Sequence, residues 1–246
     1  MTDAVVLIIG NEILAGYTQD TNSAFLARAL RARGVRLLEV RTIADVRQTI
    51  VDAVRVAAAR VGEGGWVFTC GGIGPTPDDL TRQSVAEAFG RPLVRFAEAV
   101  RMMEMYRGGP VSEMAQKMAD LPEGSLLLAN PTGGAPGFQI ERVVVLPGIP
   151  QAMEAIVQPV LDSIQAPTIH TQERLTRLFE SVLTPAFEDF VASYPELDLG
   201  SYPQTKGVKG TLIRVSATDA LRLQQGWDWL MAQVDALEGS SAADAC

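Results

Sequence analysis

The sequence predicts an α/β protein: a parallel sheet covered by helices on both faces, followed by a small α+β module. Three observations carry this. Ala4–Ile9 is an uninterrupted apolar run ending at Gly10, the pattern of a strand buried on both faces. Strand-like and helix-like segments then alternate, the helical ones long enough to cross over between parallel strands. Past Gln165-Ala166-Pro167 the alternation stops and another pattern begins.

In chain order, Asp20–Arg33 carries Phe25, Leu26, Ala29 and Leu30 at helical spacing. Asp20, Thr21 and Asn22 are available as caps, and Gly34 stands where a left-handed stop is wanted. Val35–Val40 returns as a strand, and Gln48–Val61 is a second helix striped by Ile50, Val54, Ala58 and Val61. Trp66–Cys70 is a third strand, and Thr81–Phe89 a third helix closed by Gly90. Pro92–Pro122 reads as mostly helical, broken by Gly108-Gly109-Pro110. Ser125–Ala129 and Val143–Leu146 are further strands with a loop and short hairpin between them, and Pro150–Ile164 closes the unit as a helix.

The second module opens with the loosely alternating Thr168–Phe179. Thr184-Pro185 starts a helix bearing Phe187, Phe190, Val191 and Tyr194. Gly210–Ala217 is a strand, and Leu223, Trp227, Leu230, Val234 and Leu237 stripe a last helix. The expected division is 1–166, 167–238 and a flexible tail over 239–246.

Composition narrows the function. Lys+Arg 21 against Asp+Glu 29 leaves a net charge of −8 over 246 residues, the wrong balance for wrapping nucleic acid. The longest apolar runs fall far short of the ~20 residues a membrane span needs. No basic segment followed by an apolar stretch and a cleavage site opens the chain. A cytoplasmic protein with no nucleic-acid or membrane partner is expected. Two cysteines, Cys70 and Cys246, make no disulfide framework, and a single histidine, His170, makes no zinc constellation.

The most informative segment is Gly71-Gly72-Ile73-Gly74-Pro75-Thr76-Pro77-Asp78-Asp79-Leu80-Thr81, which follows a buried strand and opens a helix. At that edge of an open α/β sheet ligands bind. The glycines allow close backbone approach and expose N–H groups to an anion, Thr76 and Thr81 add hydroxyls, and the helix adds its positive end. No GK[ST] follows and GxGxxG is absent, so this is neither a Walker loop nor a dinucleotide fingerprint. Asp78 and Asp79 would repel a bare phosphate, a conflict that a divalent cation between carboxylate and phosphate removes. A tight strand-to-helix loop with Asp caps is the plainer alternative. Against it, the other predicted strands also empty into Gly/Pro/Asx-rich loops: Gly10–Gly16 with Asp20-Thr21-Asn22, Asp45, Asn130–Gly137, and Pro147–Pro150.

GNEILAG, DTN, GGIGPTPDDLT, NPTGGAPGF and LPGIPQAME, in that order, resemble the MoaB/Mog (molybdopterin-binding) domain superfamily. More narrowly they resemble its branch in the N-terminal part of CinA proteins and in the molybdopterin-binding-like domain of eukaryotic FAD synthase. Gly200-Ser201-Tyr202-Pro203 is similar to an element of the small domain trailing that module, so the resemblance covers roughly residues 4–237. It implies an α/β fold with a three-layer, mostly parallel MoaB/Mog-like sheet and a small trailing α+β domain, assembled as a homo-oligomer (dimer or trimer).

The resemblance also implies a nucleotide-binding enzyme: a metal-dependent pyrophosphohydrolase of ADP-ribose-like or FAD-like dinucleotides. The alternatives are a molybdopterin-binding or adenylylating protein, and a non-catalytic nucleotide-binding module. The ligand is thus a small nucleotide or pterin, with magnesium, manganese or cobalt as cofactor. The superfamily places a functional Asp at the positions matching Asp45 and Asp79. Asn11 departs from the Asp or Thr usual there, and no counterpart of the CinA amidase domain follows, so a deamidase role would belong to a separate protein.

On this reading Asp79, with Asp78 or Asp45, holds the metal, and the N–H groups of Gly71, Gly72 and Gly74 meet pyrophosphate oxygens. Glu12 is either a general base or a structural residue that caps the first helix or pairs with an Arg. Thr76 and Thr81 complete the phosphate side, and Asn22 is a further ligand-binding candidate. Asn130, Gly133 and Gly137 line a nucleoside pocket or merely form a turn-rich hairpin. Lys206 and Lys209 reach a phosphate or belong to a solvated loop.

Overall fold

In the computed structural model, residues 2–205, 207 and 209–243 are described, with side chains through 240. The chain divides into two compact units, Met1–Ala166 and Pro167–Cys246. The first unit runs β1 (Thr2–Ile9), α1 (Asn11–Leu14), α2 (Asn22–Arg31), β2 (Val35–Ile43), α3 (Arg47–Val61), β3 (Trp66–Cys70) and α4 (Thr81–Ala88). It continues through β4 (Leu93–Arg95), α5 (Ala97–Arg107), α6 (Glu113–Gln116), a 3-10 turn at Lys117–Ala119 and β5 (Asp120–Pro122). It closes with β6 (Leu126–Leu128), β7 (Gly137–Ile140), β8 (Val143–Leu146) and α7 (Pro150–Ser163).

The main sheet has the order β2-β1-β3-β8-β7-β6. Its first four strands are parallel, and β7 and β6 add on antiparallel. Side chains of a strand alternate between faces, and three central strands send apolar groups both ways. Val6, Ile8, Phe68 and Leu146 pack with Leu26 and Leu30 of α2 and with Met153, Ile156 and Leu161 of α7. Val5, Leu7, Val67 and Val145 pack with Ile50 and Val54 of α3 and with Val85 of α4. Helices on both faces of this sheet make three layers.

Pro92–Pro122 is less helical than its composition suggests. β4 and β5 pair as an antiparallel ribbon, with Val94 opposite Leu121. Only α5 between them is a sustained helix, ended by Gly108 at φ 74. Ala99, Met103, Val111 and Ala119 form a small core of their own there.

The second unit contains β9 (His170–Thr176), α8 (Glu180–Ser193), β10 (Asp198–Gln204), β11 (Gly210–Ala217) and α9 (Ala220–Ala243). Its antiparallel sheet has the order β10-β11-β9 and carries Ile213 and Val215 against Leu183, Phe190, Leu230 and Val234. Two details differ from the sequence expectation, and a third lies where it assigned no element. α8 begins at Glu180, so Pro185 lies inside it rather than at its start. Gly200–Pro203 belongs to a strand, at a sheet edge where the missing N–H of Pro203 is tolerated. Finally, α9 continues to Ala243, so the expected flexible tail is helical over 239–243. Within that turn Ser240 Oγ donates to the Ala236 carbonyl at 3.0 Å. Among the described residues no helix is long and apolar enough to cross a membrane.

Candidate functional site

The strand order fixes where a ligand can sit. From β1 the chain leaves through α2 to one neighbour, β2, and returns through α3 on the opposite face to the other, β3. Such a reversal opens a crevice beyond the carboxyl ends of the two central strands. The loops after β1, β2, β3 and β8 meet there.

The glycine loop is tied to three strands. Gly71 N–H donates to the Leu146 carbonyl at 3.0 Å, and Gly71 has φ 110. A Cβ at Gly71 would stand 2.0 Å from the Ile9 carbonyl oxygen, so only glycine fits. Thr81 N–H donates to the Gly72 carbonyl at 2.9 Å, and Thr81 Oγ1 to the Gly71 carbonyl at 2.8 Å. Thr81 is fully buried, so its hydroxyl locks the loop from within. Gly71 likewise has its N–H engaged. Among the described residues, no acceptor meets the N–H groups of Gly72, Ile73 and Gly74.

Four carboxylates come from three loops. Asp45, after β2, accepts Asn11 N–H on Oδ2 at 2.7 Å, while Asn11 Oδ1 accepts Asp45 N–H at 3.4 Å. Asp79 Oδ2 accepts the N–H of Thr76 at 2.9 Å and also its hydroxyl. That oxygen also stands 2.6 Å from where a Gly74 Cβ would be. Asp78 is exposed and held below the usual carboxylate range, first by the nearby Thr76 hydroxyl and then by its own backbone N–H. A hydroxyl has one proton to give, and the hydrogen bond it makes here is to Asp79. Burial raises the Asp45 pKa, the Asn11 N–H opposes that, and Glu12, Asp78 and Asp79 add to the rise through their negative charge. The charges of Glu12, Asp78 and Asp79 therefore all bear on Asp45.

Glu12 folds back over Gly10, its Oε1 2.5 Å from where a Gly10 Cβ would stand. Among the described residues its carboxylate has neither a helix-capping bond nor an arginine partner. It also lines a cavity of about 60 Å³ between the ends of β1 and β3, together with Asp20, Asn22, Cys70 and Gly148. Asn22, only 6% exposed, donates from Nδ2 to the Gly148 carbonyl at 2.8 Å, and its Oδ1 is buried with no partner. Burial, then the nearby Asp20 charge, pushes the Cys70 thiol well up, so it stays protonated.

The remaining candidates lie elsewhere or serve the fold. Asn130 is buried and bonded within its own loop: Nδ2 donates to the Ala135 carbonyl at 2.8 Å, and Oδ1 accepts from Thr132 N at 2.9 Å and Oγ1 at 2.7 Å. Gly133, at φ 84, comes within 3.0 Å of Tyr106 Cβ as measured from an added Cβ. Gly137 is pressed against Ile156 and the Val145 carbonyl, a packing position. Thr132 and Gly133 line a groove of about 360 Å³ with Met103, Tyr106, Arg107 and Met118, apart from the carboxylates. Lys209 is exposed in the second unit, and Lys206 lies outside the described residues.

Sequence reasoning missed Arg82. It is 6% exposed, donates to the Ile73 carbonyl, and is pulled toward a lowered pKa by burial, with the charges of Asp79 and Asp120 opposing. An arginine on a helix reads as surface, so nothing in the sequence marks it.

Comparison with known proteins identifies the family and the fold. A family model described as "Probable molybdopterin binding domain" matches residues 5–167. A protein of Pyrobaculum calidifontis is 36% identical over 229 residues, 87% of this chain and 86% of its own length. That span reaches well into the second unit. A CinA-like protein of Gemmatimonas aurantiaca is 37% identical over 84% of this chain and 51% of its own, so the chain spans about half of that relative. The crystal structure of "the protein CinA with unknown function" from Thermoplasma acidophilum is 33% identical with a TM-score of 0.60, covering 65% of this chain and 96% of that one. The chain belongs to this molybdopterin-binding-like domain family and is similar to its CinA-like members.

Proposed function

We propose that the protein hydrolyses the pyrophosphate of an ADP-ribose-like or FAD-like dinucleotide with the help of a divalent cation. One observation carries this reading: the charges of Glu12, Asp78 and Asp79 all act on Asp45, beside N–H groups of Gly72, Ile73 and Gly74 that meet no acceptor among the described residues. Donors aimed at an anion, next to carboxylates that repel it, make sense when a cation lies between them.

The donor set fits a hard cation. Among the described residues no three His, Cys, Asp or Glu side chains form a cage on their own, so a zinc-type site is not built here. Magnesium needs no such cage, since it keeps several waters and binds through one or two carboxylates plus phosphate oxygens. Asp45 and Asp79 are the residues that would hold it, with Asp78 at the rim. The bound ion would neutralise charge on the phosphoryl oxygens and lower the pKa of a water.

The chain's own residues supply the rest. Gly72, Ile73 and Gly74 orient the pyrophosphate through backbone N–H groups that cost no reorganisation. Thr76 fixes the Asp79 carboxylate, and the Asn11 N–H fixes that of Asp45. Glu12 takes the proton of the attacking water as its oxygen bonds to phosphorus and the bridging P–O bond breaks. AMP and a second phosphomonoester leave.

The family description supports a second occupant, molybdopterin, whose phosphate would meet the same groups. Chromatography after incubation with ADP-ribose, FAD, NAD or ATP, each with Mg²⁺, Mn²⁺ or Co²⁺, separates the readings. The hydrolase predicts metal-dependent AMP release from ADP-ribose or FAD, lost in Asp79→Asn. No cleavage of any of them, with molybdopterin bound or adenylylated instead, would refute it.

A further inference from the structure

The first turn of α4 holds the glycine loop from behind at three successive carbonyls. The Gly71 carbonyl accepts from Thr81 Oγ1 at 2.8 Å, that of Gly72 from Thr81 N–H at 2.9 Å, and that of Ile73 from the Arg82 guanidinium. In a trans peptide the carbonyl of one residue and the N–H of the next point opposite ways. Holding these three carbonyls therefore turns the N–H groups of Gly72, Ile73 and Gly74 away from α4, where no acceptor meets them among the described residues. Gly72 at φ 66, followed by Ile73 at negative φ, is the alternation that gathers successive N–H groups into an anion-binding concavity.

The third hold differs from the first two. Thr81 serves its carbonyls with neutral donors, whereas Arg82 brings a full charge into a place that almost wholly buries it. Among the described residues no carboxylate stands within ion-pair distance of that guanidinium. Asp79 and Asp120 act on it through their charge alone, and their oxygens are engaged elsewhere, by Thr76 and by Arg95. Burying a cation is costly, and a carbonyl can be served by a neutral side chain. What the charge adds is directional. A cation on the carbonyl polarises the peptide, so the N–H at its other end becomes a stronger donor.

We propose that Arg82 is a positioning residue for a bound pyrophosphate, acting through the Ile73–Gly74 peptide: it aims the Gly74 N–H at the anion and strengthens that donor. The proposal rests on the reading that this loop receives the pyrophosphate. An arginine in the crevice itself would pair with Asp45 or Asp79 and compete with the metal. Behind the loop it makes no such pair, and its charge still reaches the anion through the peptide.

The test follows the loop amides by proton–nitrogen NMR while the intact protein is titrated with Mg²⁺ and inorganic pyrophosphate. Saturation should move the Gly72 and Gly74 amide protons downfield in the wild type. An unmoved Gly74, or no binding, overturns the proposal without any variant. Arg82→Met, of similar length and without charge or donor, should bind pyrophosphate at least ~10-fold more weakly. In it the Gly74 shift should fall below about half, while that of Gly72, whose peptide Thr81 holds, persists. Arg82→Lys restores charge and donors and should return the affinity to within about threefold of wild type. Gly72 and Gly74 weakened alike in Arg82→Met, or neither weakened, would show a merely structural role and overturn the proposal. So would an Arg82→Met affinity within about threefold of wild type. Urea midpoints check folding; if Arg82→Met does not fold, Arg82→Gln, also uncharged, is read in its place. AMP release from ADP-ribose with pyrophosphate affinity unchanged in Arg82→Met refutes the positioning role and leaves the hydrolase standing. An Arg82-dependent Gly74 response without AMP release does the opposite.

Discussion

Asn11 and Asp45 grip each other across the ends of two neighbouring parallel strands. The carboxylate accepts one residue's N–H at 2.7 Å, and the amide oxygen accepts the other's at 3.4 Å. The exchange holds a half-buried carboxylate at the crevice mouth although three other acidic groups oppose its charge.

The first prediction follows from that opposition. Asp45 has a folded-state pKa above its ordinary 3.8, so the native state holds this proton more tightly than the unfolded chain. Its contribution to stability is fully present below about pH 3.8 and is lost as pH rises through the raised value. Asp45→Asn keeps an acceptor for Asn11 and removes the charge. In chelator-treated protein its melting temperature should exceed wild type by about 1–2 °C at pH 7, with the gain gone near pH 3. A variant less stable than wild type at pH 7 would contradict this.

Two glycines of one loop should behave in opposite ways. Gly71→Ala puts a Cβ on a backbone oxygen at positive φ and should cost at least ~2 kcal/mol in urea unfolding. The three atoms nearest the Cβ of Gly74→Ala all belong to the Asp79 carboxylate, which can swing aside. Its stability should stay within about 0.5 kcal/mol of wild type, while metal-dependent turnover falls at least ~10-fold.

Thr81→Val tests the lock inside the loop. The change keeps the shape and removes the hydroxyl that serves the Gly71 carbonyl. The expected loss is about 1–2 kcal/mol by urea unfolding. An unchanged midpoint would mean the bond contributes nothing.

In the second unit Glu238 joins α9 to β9. It accepts from Thr176 Oγ1 through one oxygen and from Arg174 Nη2 at 2.9 Å through the other. Glu238→Ala should destabilise the protein by about 1–2 kcal/mol, with Glu238→Gln retaining about half of that. Thermal melting of the two variants side by side checks the order.

The central strands were legible because each is an apolar run with abrupt ends; Trp66–Cys70 and Val143–Leu146 begin and end where the sequence suggests. The glycine loop was legible through its composition. β4 and β5 were not, because three residues carry no period and their pairing is set by contact between them. Nor was the inward hydroxyl of Thr81, the bonding of Asn130 within its own loop or the burial of Arg82. Which partner a polar group finds depends on what the fold brings beside it, and residue type alone leaves that open.

The bond between Asn22 and Gly148 spans 126 positions. Closing so long a stretch of chain is entropically slow, and it follows the docking of β8 beside β3. During synthesis, a growing polypeptide that has passed the glycine loop already carries the acidic residues but not the carbonyl that orients the amide. Assembly of the pocket is thus timed to the end of the first unit, and chains stopped short of residue 148 leave that cavity open on one side.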